Sequence, residues 1–199
     1  MASVGFIGTG EIASAMVNGL TDMGHKIYVS KRGVKFSNKL SLLNDVQISN
    51  NQDIINKSDI IILCLLKDIA SEVLSKLYFP DDKKIISVMV DVSFSELNIL
   101  CNPLNKIEIT IPLPFIDTGN CPLPCFPTSS IVSDLFGKKN SLNELVVAER
   151  NVVSKFWLPK CNNLGTISGF GSSLFRNINL TNQKFFLCVI LDTRSEKLW

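Results

Sequence analysis

Apolar residues in the first 111 positions fall alternately into short unbroken runs and into helical spacing. An unbroken, β-branched run such as residues 59–66 is typical of a strand that is buried on both faces of a parallel sheet. Residues 69, 70, 73, 74 and 77 are apolar instead at the spacing of one helix face. Strands therefore alternate with helices, and the pattern predicts an α/β fold with a doubly wound parallel sheet.

Six strands and the helices between them are predicted in this part of the chain. The strands are residues 3–7, 26–30, 46–48, 59–66, 84–90 and 106–111. The first helix is predicted directly after the first glycines, and further helices are predicted at residues 35–43, 53–57, 69–77 and 93–100. Gly24 is expected to end the first helix, and Ser93 with Glu96 forms a capping-box pattern.

Prolines become frequent after residue 111, at 112, 114, 122, 124 and 127. They predict extended segments that leave the sheet edge. A further helix is expected at residues 129–136 and a short edge strand at 145–147. Helical segments are expected at 151–157 and 174–191. We therefore divide the chain into a nucleotide-binding domain, residues 1–150, and a partial helical segment, residues 151–199.

The first strand leads directly into a glycine turn, Gly8-Thr9-Gly10-Glu11-Ile12-Ala13. Gly8 permits the tight turn, Gly10 lets a pyrophosphate approach the backbone, and Ala13 lets helix pack closely on strand. The helix that follows presents unpaired N–H groups and the positive end of its dipole. The turn predicts nucleotide binding; the alternative is a glycine-rich loop without a ligand.

The residue that holds the ribose in NAD-binding units is not acidic here. That position lies about twenty residues beyond the glycines and is Ser30, which Lys31 and Arg32 follow. A carboxylate would repel a 2′-phosphate, whereas a hydroxyl and a guanidinium can bind one through charge-assisted hydrogen bonds. NADP (NADPH) is therefore the predicted cofactor, and a solvated basic turn is the alternative.

In a doubly wound sheet the ligand lies beyond the carboxyl ends of the strands. The loops expected there are residues 8–13, 30–33, 65–68, 90–93 and 111–118. The segment after the fourth strand completes the predicted cofactor site with Cys64, Leu65, Leu66 and Lys67. No catalytic residue is assigned, because Asp91 and Asp117 lie near strand ends where aspartates usually cap loops.

Composition excludes several classes of protein. Hydrophobic residues make up 46% of the 199 residues, which buried parallel strands explain, and no apolar stretch is long enough to suggest a membrane span. The first strand begins so early that no leader peptide is expected. Net charge is +2 with scattered basic residues, so no nucleic-acid surface is expected.

The cysteines do not suggest a metal site or disulfides. Cys64 and Cys188 lie in apolar segments, where cysteine behaves as a small hydrophobe. Cys121 and Cys125 have no second close pair, and the single histidine, His25, is not nearby in the sequence. We expect no metal, and free thiols are consistent with the reducing cytoplasm.

With these residues placed, the chain resembles the pyrroline-5-carboxylate reductase family. Residues 5–13, GFIGTGEIA, resemble the opening motif G-F-I-G-x-G-x-M-A of that family, and residues 30–32 resemble its NADP-selecting turn. Residues 92–97 and 125–127 resemble a helix start and a later strand. Residues 167–172, ISGFGS, are similar to its L-S-G-S-G-P motif. The resemblance covers residues 3–136 and, loosely, 165–174.

The resemblance implies a reaction in which NADPH gives a hydride to the C=N carbon of a cyclic imine and forms L-proline. A protonated imine already attracts hydride, so such a reaction relies on orientation more than on a strong general acid. The candidate loops contain no histidine and no carboxylate pair, which agrees with this chemistry. The implied setting is cytoplasmic proline biosynthesis with a small-molecule substrate.

Two departures leave other functions open. Leu113 stands where the family has asparagine, and Leu66-Lys67 replaces its Lys-Pro. Family members also continue into a long helical domain for dimerisation and substrate binding, of which residues 151–199 are expected to form only the start. Self-association is therefore expected to be weak. The alternatives are another NADP-dependent imine or carbonyl oxidoreductase, and a non-catalytic or shortened NADP-binding protein.

Overall fold

The computed structural model describes residues 1–89, 92–102, 105–119 and 121–144. Their strands form one sheet with the order β3-β2-β1-β4-β5-β6-β7-β8. The strands are β1 Ser3–Ile7, β2 Lys26–Ser30, β3 Val46–Ser49, β4 Ile60–Leu63, β5 Lys84–Ser87, β6 Lys106–Thr110, β7 Pro122–Phe126 and β8 Ser141–Glu144. The first six are parallel. The predicted doubly wound α/β fold is confirmed.

Helices connect these strands and cover both faces of the sheet. They are α1 Glu11–Leu20, α2 Val34–Leu40, α3 Asn51–Lys57, α4 Lys67–Leu74, α5 Phe94–Leu100 and α6 Ser130–Phe136, with a 3₁₀ turn at Ile116–Thr118. Helix α1 contacts both α2 and α6, whereas α3 contacts β1 and β2, and α5 contacts β6. Strand β1 lies between β2 and β4, so the chain order reverses beside β1. This reversal is where doubly wound sheets bind ligands.

The central strands are apolar because both of their faces are covered. Phe6, Ile7, Ile61 and Ile62 have no exposed surface, and β1 and β4 are in register with Phe6 beside Ile62. Burial of each such side chain stabilises the fold by about 1.5–3 kcal/mol. Continuous runs of large apolar residues in β1 and β4 therefore fix the middle of the sheet.

Side chains at two helix starts explain why those helices begin where they do. The Asn50 side-chain oxygen accepts a 2.9 Å hydrogen bond from the backbone N–H of Asp53 at the start of α3. The predicted capping box is confirmed, because Ser93 and Glu96 each accept a hydrogen bond from the other's backbone N–H. These contacts satisfy N–H groups that lack partners within the helix.

Several predicted element ends were wrong by a few residues. Strand β4 ends at Leu63 rather than at residue 66, because the chain turns there and α4 begins at Lys67. Helix α1 ends at Leu20, with an extended Thr21 after it. Gly24, the predicted end, has a φ of +76° in a separate turn before β2.

The region after β6 differs more from its prediction. Strand β7 returns to the sheet antiparallel to β6 instead of leaving its edge. The β6–β7 pairing joins only Ile109 to Phe126 and Thr110 to Cys125, so the prolines of β7 lie outside it, and they stand opposite Ser141 and Asn143 of β8. Strand β8, at residues 141–144, was not predicted.

The predicted strand at 145–147, the helices at 151–157 and 174–191, the motif at 167–172 and the domain boundary at 150 lie outside the described residues. Within the described part of the chain, no helix has both the length and the apolar character to cross a membrane.

Candidate cofactor-binding site

The turn between β1 and α1 requires glycine at its first position. Gly8 has a φ of +95°, which residues with a side chain rarely adopt. A Cβ at Gly8 would also collide with the carbonyl oxygen of Cys64. The backbone carbonyl of Cys64 therefore packs against the glycine turn.

The N-terminus of α1 opens on free space. Gly10 is the N-cap residue and provides no side-chain hydrogen bond, and a Cβ at this position would meet no atom within 4 Å. The first helical bond joins Ser14 N–H to the Gly10 carbonyl at 2.9 Å, so the N–H groups of residues 11–13 precede the helical ladder. The space and the donors fit a diphosphate.

The remaining residues of this turn divide between support and exposure. Ala13 is 1% exposed and lies in the core as the small residue of the motif. Ile12 is half-buried, and Glu11 is exposed in the first turn of α1. Glu11 and Ile12 can therefore contribute to the site through their backbone N–H groups.

The side chain of Ser30 is bonded to the glycine turn. Its side chain is 1% exposed, and its hydroxyl accepts a 3.0 Å hydrogen bond from the backbone N–H of Gly8. The Thr9 hydroxyl lies 3.0 Å from the same Ser30 oxygen and donates a 2.9 Å bond to the Ser30 carbonyl. The Ser30 hydroxyl therefore faces the glycine turn, and its contact with a 2′-phosphate stays a prediction.

Lys31 and Arg32 are exposed immediately after β2. The charge of Arg32 also reaches Glu72 on the exposed side of α4. The pKa of the Glu72 carboxyl is lowered mainly because Lys76 donates a 2.8 Å hydrogen bond to it, and to a smaller extent by the positive charge of Arg32. The basic turn that contains Lys31 and Arg32 is therefore close enough to α4 for the charges of Arg32 and Glu72 to interact.

The segment after β4 also divides into buried and exposed residues. Cys64 is half-buried, and burial raises the pKa of its thiol, so the thiol is not reactive. Leu65 is 7% exposed, whereas Leu66 is 76% exposed, and Lys67 is the exposed first residue of α4. Only Leu66 and Lys67 of this segment have exposed side chains.

No catalytic side chain emerges from the loop after β6. Leu113 is 2% exposed and is surrounded by the protein interior. Asp117 lies in the 3₁₀ turn, where its Cα would be 3.3 Å from a Cβ at Gly19. Gly19 is nine residues from Gly10, or about 13 Å along α1, so Asp117 is remote from the glycine turn. Asp91 lies outside the described residues.

A buried carboxylate that the sequence-based analysis missed lies in β6. Glu108 is 2% exposed and accepts hydrogen bonds from the hydroxyls of Thr128 and Ser130 at 2.6 and 2.8 Å. It also accepts from the backbone N–H groups of Ile131 and Val132, each at 2.9 Å. A charged residue inside a predicted buried strand was the available signal, because such a residue needs partners.

The cysteines of the β7 region are buried and separate from this site. Cys121 and Cys125 have no exposed surface, and burial raises the pKa of the Cys121 thiol to about 12. The Cys125 thiol donates to the Leu123 carbonyl at 3.4 Å. Among the residues that the structure describes, no three His, Cys, Asp or Glu side chains form a group that could hold a metal ion.

Residues 3–91 match the model of a family described as NADP oxidoreductase, coenzyme F420-dependent. This match begins with β1 and includes the glycine turn, the basic turn and the segment after β4. No curated protein sequence matches the chain significantly.

Solved structures share the fold at low sequence identity. A 1-pyrroline-5-carboxylate reductase from Streptococcus pyogenes is 18% identical with a TM-score of 0.59, and the match covers 85% of this chain and 82% of that one. Pyrroline carboxylate reductase from Plasmodium falciparum, with NADP bound, is 18% identical with a TM-score of 0.65, covering 82% and 64%.

An imine reductase variant from Myxococcus stipitatus, in complex with NAD+, is 16% identical with a TM-score of 0.64, covering 83% of this chain and 62% of that one. The chain therefore spans less than two thirds of the Plasmodium and Myxococcus proteins. At these identities the likeness shows a shared fold.

Proposed function

We propose that this protein is an NADP-dependent oxidoreductase that binds its cofactor at the carboxyl ends of β1, β2 and β4. One observation carries the proposal: the N-terminus of α1 has no side-chain cap and opens on free space at Gly10, beside the exposed Lys31 and Arg32. The description of the family that matches residues 3–91 agrees with this cofactor, as does the NADP bound in the Plasmodium structure.

Each part of the site has a task in this proposal. The N–H groups of residues 11–13 bind the diphosphate, and Arg32 with Lys31 binds the 2′-phosphate by charge-assisted hydrogen bonds. Leu66 and Lys67 border the adenosine end of the site. The bound cofactor supplies a hydride, and the protein orients it and excludes water around the acceptor.

The proposed acceptor is the C=N bond of a small cyclic imine, with formation of L-proline in the cytoplasm as the specific case. The motif resemblance over residues 3–136 and the shared fold of pyrroline carboxylate and imine reductases support this substrate class. A protonated imine needs orientation more than a general acid. This agrees with the described loops at the carboxyl edge, which provide no acid–base pair.

A second candidate is reduction of another imine or of a carbonyl on the same scaffold. Leu113 favours it, because this residue is 2% exposed and apolar where the resembled family has asparagine. An apolar side chain cannot make the hydrogen bonds of an amide. At this position the chain therefore differs in chemistry from the resembled family.

A kinetic assay of NADPH oxidation tests the proposal. We expect turnover with pyrroline-5-carboxylate and formation of proline. Turnover only with other cyclic imines or with ketones would favour the second candidate. Cofactor binding without turnover of any of these would favour a non-catalytic NADP-binding protein.

A further inference from the structure

The basic turn, residues 30–33, is attached to the glycine turn by two hydroxyl groups at the point where the chain enters the basic turn. The Thr9 hydroxyl donates its proton to the Ser30 carbonyl at 2.9 Å. In the 3.0 Å contact between the two hydroxyls, the Ser30 hydroxyl is therefore the donor and the Thr9 hydroxyl the acceptor. The Ser30 hydroxyl accepts in turn from the Gly8 N–H at 3.0 Å. Both hydroxyl protons are used, and both residues are at least 95% buried.

The basic turn is attached to the same place at its exit. Gly33 has a φ of +83° and is the N-cap residue of α2. A Cβ at Gly33 would overlap the carbonyl oxygen of Thr9, so the backbone of the turn packs directly against Thr9. Lys31 and Arg32, both exposed, are the two residues between the attachments.

From this geometry we infer that Thr9 and Ser30 are positioning residues that hold the glycine turn and the basic turn as one frame for the cofactor. The frame fixes Lys31 and Arg32 relative to the N-terminus of α1, so the diphosphate site and the 2′-phosphate site are set before binding. A site that is already ordered loses less entropy when a ligand binds. This inference rests on the proposed NADP-binding function.

The frame makes a different prediction from direct contact between Ser30 and the 2′-phosphate. The diphosphate is common to NADPH and NADH, so disorder in the glycine turn weakens both cofactors. We expect Ser30→Ala to weaken NADH by about five- to thirtyfold, which corresponds to one or two lost hydrogen bonds, and to weaken NADPH by at least that factor, because Lys31 and Arg32 lose their fixed position as well. Direct contact between Ser30 and the 2′-phosphate would instead leave NADH binding unchanged.

Thr9 provides a matched pair of variants. Thr9→Val keeps the shape of the side chain but removes the hydroxyl, and should weaken both cofactors as Ser30→Ala does. Thr9→Ser keeps the hydroxyl and should bind both cofactors nearly as wild type. The double variant Thr9→Val/Ser30→Ala should lose little more than either single variant, because the two hydroxyls belong to one network.

The experiment is a fluorescence titration of each full-length variant with NADPH and NADH, below the melting temperature of every variant. Hydrogen exchange of the Gly8 amide in the cofactor-free protein is measured alongside it. Faster exchange at Gly8 in Ser30→Ala, together with weaker binding of NADH as well as of NADPH, supports the frame.

Weaker NADPH binding in Ser30→Ala with NADH binding unchanged would identify Ser30 as a direct phosphate ligand and overturn the frame. Unchanged binding and unchanged Gly8 exchange in a folded Ser30→Ala variant would overturn it as well. If wild type binds neither cofactor while Gly8 exchange still depends on Ser30, the proposed function fails and the hydroxyl attachment remains only as a structural feature, which overturns its role in cofactor binding.

Discussion

Two helix N-termini in this fold meet the same physical requirement in opposite ways. Helix α6 begins against the buried Glu108 carboxylate, which accepts hydrogen bonds from Ile131 and Val132. Helix α1 begins at Gly10 with no side-chain cap and free space beside it. A helix N-terminus favours negative charge. At α6 the chain supplies that charge through a buried carboxylate that is bonded to the helix N–H groups, whereas at α1 the acidic Glu11 is exposed and Gly10 leaves open space beside the N–H groups.

The comparison shows which feature marks a ligand site. Helical N–H groups without a partner inside their own helix occur at the N-termini of both α1 and α6, so they do not distinguish a ligand site from a capped helix. The absence of a side chain at Gly10 does, together with the exposed Lys31 and Arg32 nearby. A side chain added at the α1 N-terminus should therefore affect cofactor binding, and removal of the Glu108 carboxylate at the α6 N-terminus should affect stability.

Emptying the α6 N-terminus should have the largest effect. Glu108→Ala should lower the free energy of unfolding by about 3–5 kcal/mol, because two backbone N–H groups and two hydroxyls lose a buried charged acceptor. Chemical denaturation measures it. Glu96→Ala is the control, since this exposed Glu caps α5 and should cost only about 1 kcal/mol. Equal losses in the two variants would contradict the role given to Glu108.

Filling the α1 N-terminus should abolish binding but not folding. Gly10→Val places a side chain in the space assigned to the diphosphate, and NADPH affinity should fall by about a hundredfold or more, or about 2.7 kcal/mol. Calorimetric titration checks this, with circular dichroism as the test of folding. Asn18→Val, on the exposed part of α1, is the control and should bind normally. Near wild-type affinity in Gly10→Val would make the glycine turn purely structural.

Removing one basic side chain beside α1 should change cofactor preference alone. Arg32→Ala should weaken NADPH by roughly tenfold to a hundredfold and leave NADH nearly unchanged, because only NADPH carries the 2′-phosphate. Parallel titrations with the two cofactors measure the change. Lys35→Ala, at the second residue of α2 and also exposed, should have a smaller effect. Equal losses for both cofactors would show that Arg32 does not read the 2′-phosphate.

The Ser58 hydroxyl is a third kind of polar group, and its removal should have the smallest effect on stability. The Ser58 hydroxyl is buried against Gly5 and has no hydrogen-bond partner among the described residues. Ser58→Ala should leave stability unchanged or raise it by up to about 1 kcal/mol, since it removes an unsatisfied group. Thermal unfolding measures this. A loss as large as that from Ser93→Ala, which removes a helix cap, would mean that the Ser58 hydroxyl is bonded.

The sequence was most informative where structure depends on near neighbours. The β1–α1–β2 unit was predicted because its strand pattern, glycine turn and helix spacing are local, and β1 and β2 have the predicted bounds. The capping box of Ser93 and Glu96 was also predictable, since both residues lie within one helical turn.

Features that depend on distant contacts were missed. Ser30 has the residue type of a phosphate ligand, but its hydroxyl is bonded to Gly8, which lies 22 residues away. The partners of Glu108 begin 20 residues later. The antiparallel return of β7 depends on its pairing with Ile109 and Thr110, which the local proline pattern does not reveal.

In this account the α1 N-terminus, which has no side-chain cap, forms an NADPH site together with the basic turn. A fluorescence titration of the wild-type protein with NADPH and with NADH tests it most directly. We predict saturable binding of both, with NADPH tighter by roughly tenfold to a hundredfold. Equal affinity for the two cofactors, or no binding of either, would contradict the account.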